Sequence, residues 1–367
     1  MFKTGSSITF LLLLFSQSLL AADWPQFRGN PQLTGFIDEI LPSPLKVLWK
    51  YESGEGIESS AAIVGGVVYV GAVDGALHAI DLKSGKSKWK IQPTELGFKS
   101  SPAVKDGVVY IGDADGIFHA FDSKTGKELW KFKTEGEIFS SANFVKDLVV
   151  FGSYDSHLYA LQSKDGKLRW KVQSNERIHA APSVAGANVM ITGCDAQLRV
   201  LKADNGEEVK IVDLGSYTAA SPSVKDSFAF VGTMGNQVRG VNWRTGDLLW
   251  EFEDTENAHP FLSSAAIGDG KVVIGGRDKR VHCFDMKKGK VLWQFETKER
   301  VESSPVIVGG DVFIGSYDGN LYRIDLKTGK EKWRFEAGTP LIASPAVAQD
   351  RLVIGTEDGI LYCFGAE

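Results

Sequence analysis

A short turn signal recurs eight times along this chain, at steps of 40 to 43 residues. Each copy separates two short apolar runs, and Asp and Gly tolerate the positive φ that a tight β-hairpin requires. The repeat therefore predicts eight similar supersecondary units. The eight signals are Asp74-Gly75, Asp115-Gly116, Asp155-Ser156, Asp195-Ala196, Gly235-Asn236, Asp278-Lys279, Asp318-Gly319 and Asp358-Gly359.

A second turn signal in each unit precedes a position that is almost always tryptophan. The glycines are Gly85, Gly126, Gly166, Gly206, Gly246, Gly289 and Gly329, each four residues before that position. A flat ring repeated once per unit predicts a structural wedge between neighbouring sheets. The tryptophans are Trp89, Trp130, Trp170, Trp250, Trp293 and Trp333, with Lys210 as the exception and Trp49 as an additional copy upstream.

Each unit opens with a strand of small residues, such as "SSAAIV" at 59, "SSPAVK" at 100 and "ASPSVK" at 220. Small side chains suit the innermost strand of a radial array, where space narrows toward the axis. Four strands per unit in a radial arrangement form a β-propeller, and no sustained helical period competes with this assignment. The sequence predicts an all-β, eight-bladed propeller of four-stranded antiparallel blades.

The last unit lacks its fourth strand, because the chain stops at "ILYCFGAE". The segment "PLKVLWKYES" at 44–53 resembles the fourth strands of other units and places Trp49 at the wedge position. We expect this N-terminal strand to complete blade 8 and close a propeller that spans residues 44–367.

The N-terminus has the pattern of a secretory signal. Lys3, the apolar run "ITFLLLLF" and small residues near Ala21 predict a signal peptide at 1–22, followed by a lead-in segment at 23–43. The run is too short for a membrane span, and no cysteine at the cleavage point could carry a lipid. We expect a soluble, monomeric, periplasmic or secreted protein that is not a lipoprotein.

The net charge argues against a nucleic-acid-binding protein, and the cysteine content argues against a disulfide-stabilised one. Loss of residues 1–22 removes one Lys and no acid, which moves the net charge from −5 to −6 and argues against nucleic acid as a partner. Three cysteines, Cys194, Cys283 and Cys363, are too few for a disulfide framework, and we expect Cys283 and Cys363 to be buried thiols.

The pattern of one unit consists of small-small-Pro, then Gly-x-x-Asp-Gly, then Leu-Tyr-x-x-Asp-x-x-Thr-Gly-Lys-x-x-Trp. This pattern resembles the PQQ-type propeller repeat. That family includes quinoprotein alcohol dehydrogenases and the outer-membrane assembly scaffold BamB. The resemblance covers residues 44–367, and "DWPQFRGNPQLTG" at 23–35 is similar to the lead-in segment of secreted members. Fold alone leaves function open, because propellers serve as enzymes and as scaffolds.

Three functions are compatible with the resemblance. A quinoprotein dehydrogenase implies a calcium site, an Asp base and usually two adjacent cysteines, and this chain has no Cys-Cys pair and no long insertions. A scaffold needs only a rigid ring with a distinct face, and we expect this function, with another envelope protein as partner and no cofactor. An extracellular carbohydrate- or polymer-binding propeller is the remaining alternative.

Several residue sets invite a chemical interpretation. His78, His119 and His282 share one repeat position in different blades, so they cannot converge on a metal, and the turn aspartates suit turns better than calcium loops. We predict no catalytic, cofactor or metal residues.

The residues that follow an apolar position in each entry loop should face the channel mouth. The predicted binding patch is Glu58, Lys99, His179 and Glu302, with His259 on the one lengthened loop.

Overall fold

The computed structural model describes residues 22–255 and 258–366. The predicted signal peptide, apart from Ala22, lies outside these residues. Within the described chain, no helix has the length and apolar character to cross a bilayer.

Two strands precede the first repeat, β1 (Phe36–Ile37) and β2 (Lys46–Glu52). The first four blades are built from β3 (Ala62–Val64), β4 (Val67–Gly71), β5 (Leu77–Asp81) and β6 (Ser87–Ile91); β7 (Ala103–Lys105), β8 (Val108–Gly112), β9 (Ile117–Asp122) and β10 (Glu128–Lys133); β11 (Asn143–Val145), β12 (Leu148–Gly152), β13 (His157–Gln162) and β14 (Leu168–Gln173); and β15 (Ser183–Ala185), β16 (Asn188–Thr192), β17 (Gln197–Lys202) and β18 (Glu208–Asp213).

The second half of the ring repeats this order. Its strands are β19 (Ser223–Lys225), β20 (Phe228–Gly232), β21 (Gln237–Asn242) and β22 (Leu248–Glu253); β23 (Ala266–Gly268), β24 (Lys271–Gly275), β25 (Arg280–Asp285) and β26 (Val291–Glu296); β27 (Val306–Val308), β28 (Asp311–Gly315), β29 (Asn320–Asp325) and β30 (Glu331–Glu336); and β31 (Ala346–Ala348), β32 (Arg351–Gly355) and β33 (Ile360–Gly365).

The predicted eight-bladed ring and its closure are confirmed. Blade 8 has the strand order β2-β33-β32-β31, with β2 antiparallel to β33 in a register that runs from Lys46 opposite Gly365 to Glu52 opposite Ile360. The edge that the last strand would otherwise expose is therefore paired. We call the face with the entry loops and Asp turns the upper face, and the face with the Gly-Lys hairpins the lower face.

Neighbouring blades meet near the axis through a glycine. A methyl carbon added at Gly112 would lie only 2.2 Å from Cγ2 of Ile138 in the next entry loop, so this position cannot hold a side chain. Blade 4 has Thr192 instead, and the entry-loop residue of the next blade is the small Thr218. The eight entry-loop residues are buried, at 0 to 1% exposure: Ile57, Phe98, Ile138, Ile178, Thr218, Phe261, Val301 and Leu341.

The outer seams are formed by tryptophan. Trp250 packs against Gly289 of the next blade, where a methyl carbon would lie 2.5 Å from the indole, and its Nε1 donates a hydrogen bond to Met286 O at 2.9 Å. The same hydrogen bond recurs from Trp49 to Leu82, Trp89 to Ser123, Trp130 to Ser163, Trp170 to Ala203 and Trp293 to Leu326.

At the seam between blades 4 and 5, Lys210 stands in place of the wedge tryptophan, and blade 5 supplies an indole instead. Lys210 lies 3.4 Å from a methyl carbon built at Gly246, so it occupies the equivalent contact. Trp243, from the same hairpin as Gly246, is buried at 5% exposure and donates its Nε1 hydrogen to Asp226 O at 3.1 Å. An indole is thus retained at this seam, but it comes from the opposite side.

The lead-in segment, residues 23–43, closes the lower end of the channel, and we call it the strap. Its backbone carbonyls accept hydrogen bonds from inner-strand N–H groups that would otherwise face the axis unpaired, and β1 pairs in parallel with β27. The strap is therefore part of the propeller core. The carbonyl acceptors and their donors are Trp24 with Ile63, Pro25 with Val104, Pro31 with Val184, Gln32 with Val224, Thr34 with Ile267 and Gly35 with Ile307.

Removal of residues 1–53 should open the ring. This deletion takes away both the strap and β2, so the edge of β33 becomes available to other chains. We expect aggregation or a large loss of melting temperature relative to the chain that starts at residue 23. A deletion of residues 1–43, which keeps β2, is the matched control and should melt lower than the parent but remain monomeric. Parent-like melting of the longer deletion would disprove closure by β2.

Truncation of a wedge tryptophan to Ala should lower the free energy of unfolding far more than truncation of Lys210, the residue at the same position in blade 4. We expect Trp293→Ala to lower the free energy of unfolding by about 3 to 5 kcal/mol, because a buried indole and its packing are lost. Lys210→Ala should change it by about 0.5 kcal/mol or less. Denaturant unfolding of both variants measures the difference, and equal midpoints would contradict the wedge role.

Candidate functional site

A blind well of about 170 Å³ occupies the axis and opens at the upper face. Its upper layer consists of the residues that directly follow the buried entry-loop positions, one from each blade. Its lower layer consists of the second small residue of each inner strand, and Phe27 of the strap forms the floor. The upper layer is Glu58, Lys99, Phe139, His179, Ala219, Leu262, Glu302 and Ile342; the lower layer is Ser60, Ser101, Ser141, Ala181, Ser221, Ser264, Ser304 and Ser344.

The backbone below the upper layer is held on both sides. The N–H of Phe98 in an entry loop donates to Ala72 O of the preceding blade at 3.0 Å, and the carbonyl of Gly97 accepts from Ala114 of its own blade at 3.1 Å. Corresponding bonds occur at every seam, including Ile57 N–H to Thr356 O where blade 8 meets blade 1. The well residues are therefore presented by a rigid frame.

The lower layer is a nearly closed circle of hydrogen bonds. The backbone N–H of one serine donates to Oγ of the serine in the next blade, as from Ser60 to Ser101 at 2.9 Å and, across the closure, from Ser344 to Ser60 at 3.1 Å. Ala181 has no hydroxyl, so the circle lacks one link, after Ser141. Sequence reasoning explained these small residues by space alone. The repeated serine at this second position was the signal for their hydrogen bonding.

One arc of the upper layer is basic and aromatic. Lys99 Nζ lies 3.7 Å from a Glu58 carboxylate oxygen and 5.5 Å from the centre of the Phe139 ring. The Tyr154 hydroxyl lies 2.7 Å from Nδ1 of His179. Burial, with a smaller contribution from Lys99, lowers the pKa of His179, so its imidazole is neutral at neutral pH.

Glu302, on the opposite side of the well, is already paired with arginine side chains. Glu302 accepts a hydrogen bond from Arg277 Nε at 2.6 Å, and Arg300 Nε lies 3.1 Å from the same carboxylate. The Tyr317 hydroxyl lies 3.2 Å from its other oxygen, and the Arg300 guanidinium stacks on the Tyr317 ring at 3.7 Å. Glu302 is consequently fixed in position, and the two arginines add positive charge to this part of the upper face.

The structure brings four of the five predicted patch residues to one cavity. Glu58, Lys99, His179 and Glu302 line the well, whereas His259 is exposed outside its lining, with its N–H donating to Asn236 Oδ1 at 3.2 Å. The other four rim residues are apolar, and Glu302 with its two arginines lies between Leu262 and Ile342 on the side opposite Lys99. Sequence reasoning did not foresee that Phe27 forms the floor, because the strap has no repeat that indicates its path.

The three histidines at the shared repeat position each have a different hydrogen-bonding partner close by. His119 Nε2 lies 2.8 Å from Asp113, His282 Nε2 lies 2.7 Å from the turn residue Asp278, and His78 Nδ1 lies 2.9 Å from the Tyr51 hydroxyl. Among residues 22–255 and 258–366, no three His, Cys, Asp or Glu side chains converge in a way that could hold a metal ion.

The cysteines divide by exposure. Cys283 and Cys363 are buried free thiols, and burial raises the pKa of each to about 12. Cys194 is exposed on the Asp turn of blade 4, and its N–H donates to Arg177 O. The two buried thiols are inert in this environment, because the thiolate is the reactive form.

A family model described as outer membrane protein assembly factor BamB matches residues 46–177 and 237–366. The chain belongs to this BamB family. A search of curated protein sequences gave no match.

Three solved structures place the BamB-family fold beside proteins of different function. BamB from Moraxella catarrhalis has a TM-score of 0.76 at 19% identity, covering 89% of this chain and 98% of its own. Quinohemoprotein alcohol dehydrogenase from Comamonas testosteroni has a TM-score of 0.81 at 16% identity, covering 94% and 80%. The computationally designed Ika8 protein has a TM-score of 0.75 at 19% identity, covering 86% and 98%. At these identities the likeness shows the fold alone.

His78 should make this BamB-family propeller sensitive to acid. Burial lowers the pKa of His78 to about 4, so below pH 6.5 the unfolded chain binds a proton that the folded chain does not. Between pH 7 and pH 5 this should cost about 2 kcal/mol of unfolding free energy. His78→Tyr, which installs the residue found at Tyr159 and Tyr322, should remove that increment. Identical pH dependence of the two proteins in denaturant unfolding would refute this role of His78.

Proposed function

We propose that this protein is a non-catalytic binding propeller of the periplasm, which holds another envelope protein at the rim of its well. The observation that carries the proposal is the contrast within each entry loop. One residue is buried between blades, whereas its neighbour lines the well and differs from blade to blade. A rigid frame with a varied rim suits recognition of one asymmetric partner.

The chemistry of the rim indicates what the partner presents. The Lys99–Phe139–His179 arc offers a cation, an aromatic face and a neutral imidazole. The opposite arc offers aliphatic side chains at Leu262 and Ile342, on either side of the arginine-paired Glu302. A protruding loop with an acidic or aromatic residue on one side and an aliphatic residue on the other fits this division. Membership of a family described as an outer membrane protein assembly factor supports a partner in the envelope.

The size of the well argues against an enclosed organic cofactor. Pockets for small molecules usually have volumes of about 300 to 1,000 Å³, and this well has about 170 Å³. The quinoprotein alternative is nevertheless specific enough to test, because a quinohemoprotein dehydrogenase shares the fold. Purified protein mixed with PQQ and calcium should neither bind the quinone tightly nor reduce a dye with alcohols or sugars, and turnover would overturn the binding function.

The binding function is tested by partner capture followed by affinity measurement. The protein is used as bait on an envelope extract, the captured protein is identified and purified, and its Kd is measured. The rim variant carries Ala at Glu58, Lys99, His179 and His259, and Gln at Glu302, because an amide keeps hydrogen bonds to Arg277 and Arg300. We expect binding to weaken about 30-fold or more, the contribution of one hot-spot residue.

A matched control separates the rim from general surface effects. Lys86, Lys127 and Lys330 are exposed on the lower-face hairpins, and their simultaneous change to Ala should leave both Kd and melting temperature unchanged. The rim variant should also keep the parental melting temperature. Undiminished binding by the rim variant would move the interface to the lower face or the blade edges.

A further inference from the structure

The strap carries a buried arginine, Arg28. Arg28 is 1% exposed and adjoins Phe27, the floor of the well, with its guanidinium carbon 6.0 Å from the Phe27 ring centre. No carboxylate of the described residues forms an ion pair with it. Burial lowers the pKa of Arg28 to about 9, so the guanidinium still carries its charge at neutral pH. An uncompensated charge in such a place is costly.

The guanidinium is held firmly but incompletely bonded. Nη2 donates to Ala265 O of the blade 6 inner strand at 3.0 Å, and a methyl carbon at Gly35 would lie 2.0 Å from Nη2, so the group is packed flat against that glycine. Nε and Nη1 have no hydrogen-bond partner among residues 22–255 and 258–366. Buried polar groups in proteins almost always have one, so these two nitrogens point to an occupant.

Two further buried polar groups, one on the strap and one on an inner strand, are also unpaired among the described residues. Trp24 Nε1, in the same strap loop, is buried and has no acceptor in the described part of the chain, and the indole packs against Gly29, next to Arg28. Ser183 Oγ, on the blade 4 inner strand, is also unpaired. The corresponding side chain in blade 5, Ser223, donates to Ala265 O, the carbonyl that Arg28 also uses. The unpaired N–H donors of a buried cation are best matched by an acceptor that is also an anion.

We propose that the strap and the inner strands bind one small monovalent anion, of the size and chemistry of chloride, at an unpaired N–H edge of Arg28, against Nε or Nη1. A single negative charge balances the single buried cation, and a small ion needs the least space beside a guanidinium that is 1% exposed. The anion would join the strap to the inner strands electrostatically and stabilise the floor of the well.

Bromide provides a direct test in the wild-type protein. Bromide replaces chloride and scatters anomalously, so crystals grown in bromide should show an anomalous peak within hydrogen-bonding distance of Nε or Nη1 of Arg28. Only water density at that position, in crystals that show bromide elsewhere, would overturn the proposal.

Unfolding at constant ionic strength tests the site in solution. Chloride is varied against gluconate, which is too large to enter, and each tenfold rise in chloride above its Kd should raise the folded-to-unfolded ratio of the wild type about tenfold. Arg28→Met should lose this dependence, whereas Arg244→Met, which removes an exposed arginine, should keep it. A wild type that shows no more chloride dependence than Arg28→Met would refute the site. If Arg28→Met does not fold, the bromide experiment on the wild type decides.

Discussion

The ring depends on a close approach at every seam, where the second strand of one blade ends without a bulky side chain and the entry loop of the next blade inserts. At Gly112 there is no room for even one methyl group beside Ile138. The outer seam repeats the principle with an indole against a hairpin glycine. Both contacts join nearest neighbours only, so stability is distributed around the ring in the manner of repeat proteins.

This arrangement separates the residues that hold the ring together from those available for recognition. Within an entry loop, Ile178 is buried between blades, and the next residue, His179, lines the well. Because the backbone of that loop is bonded on both sides, the side chain at the second position can vary without a change of frame. The rim can therefore carry charged, aromatic and aliphatic side chains in different blades while the blades stay alike.

The repeat allowed the blades, their number, their closure by β2 and the entry-loop pattern to be predicted, because each signal recurs at a fixed spacing and errors in one unit are corrected by the others. The strap could not be predicted in this way, since residues 23–43 occur once and have no period. Burial of Arg28 contradicts the usual preference of arginine for solvent. The repeat also could not show that Trp243 of blade 5 supplies the indole at the seam where blade 4 has Lys210. A comparison of equivalent positions reveals the missing tryptophan, but not a substitute at a different position in the next blade.

The path of the strap has a consequence for the order in which the molecule can assemble. The strap is synthesised before the blades, yet it bonds to inner strands of blades 1 to 7, with blade 3 bonded through the Asn143 side chain. The partner of β2 is β33, the last strand of the ring. Individual blades can form from local contacts as they emerge, but the ring cannot be completed until β33 is available. Long sequence separation of this kind slows the closing step. The chain is therefore open along its axis for most of its synthesis, and the well comes into existence last.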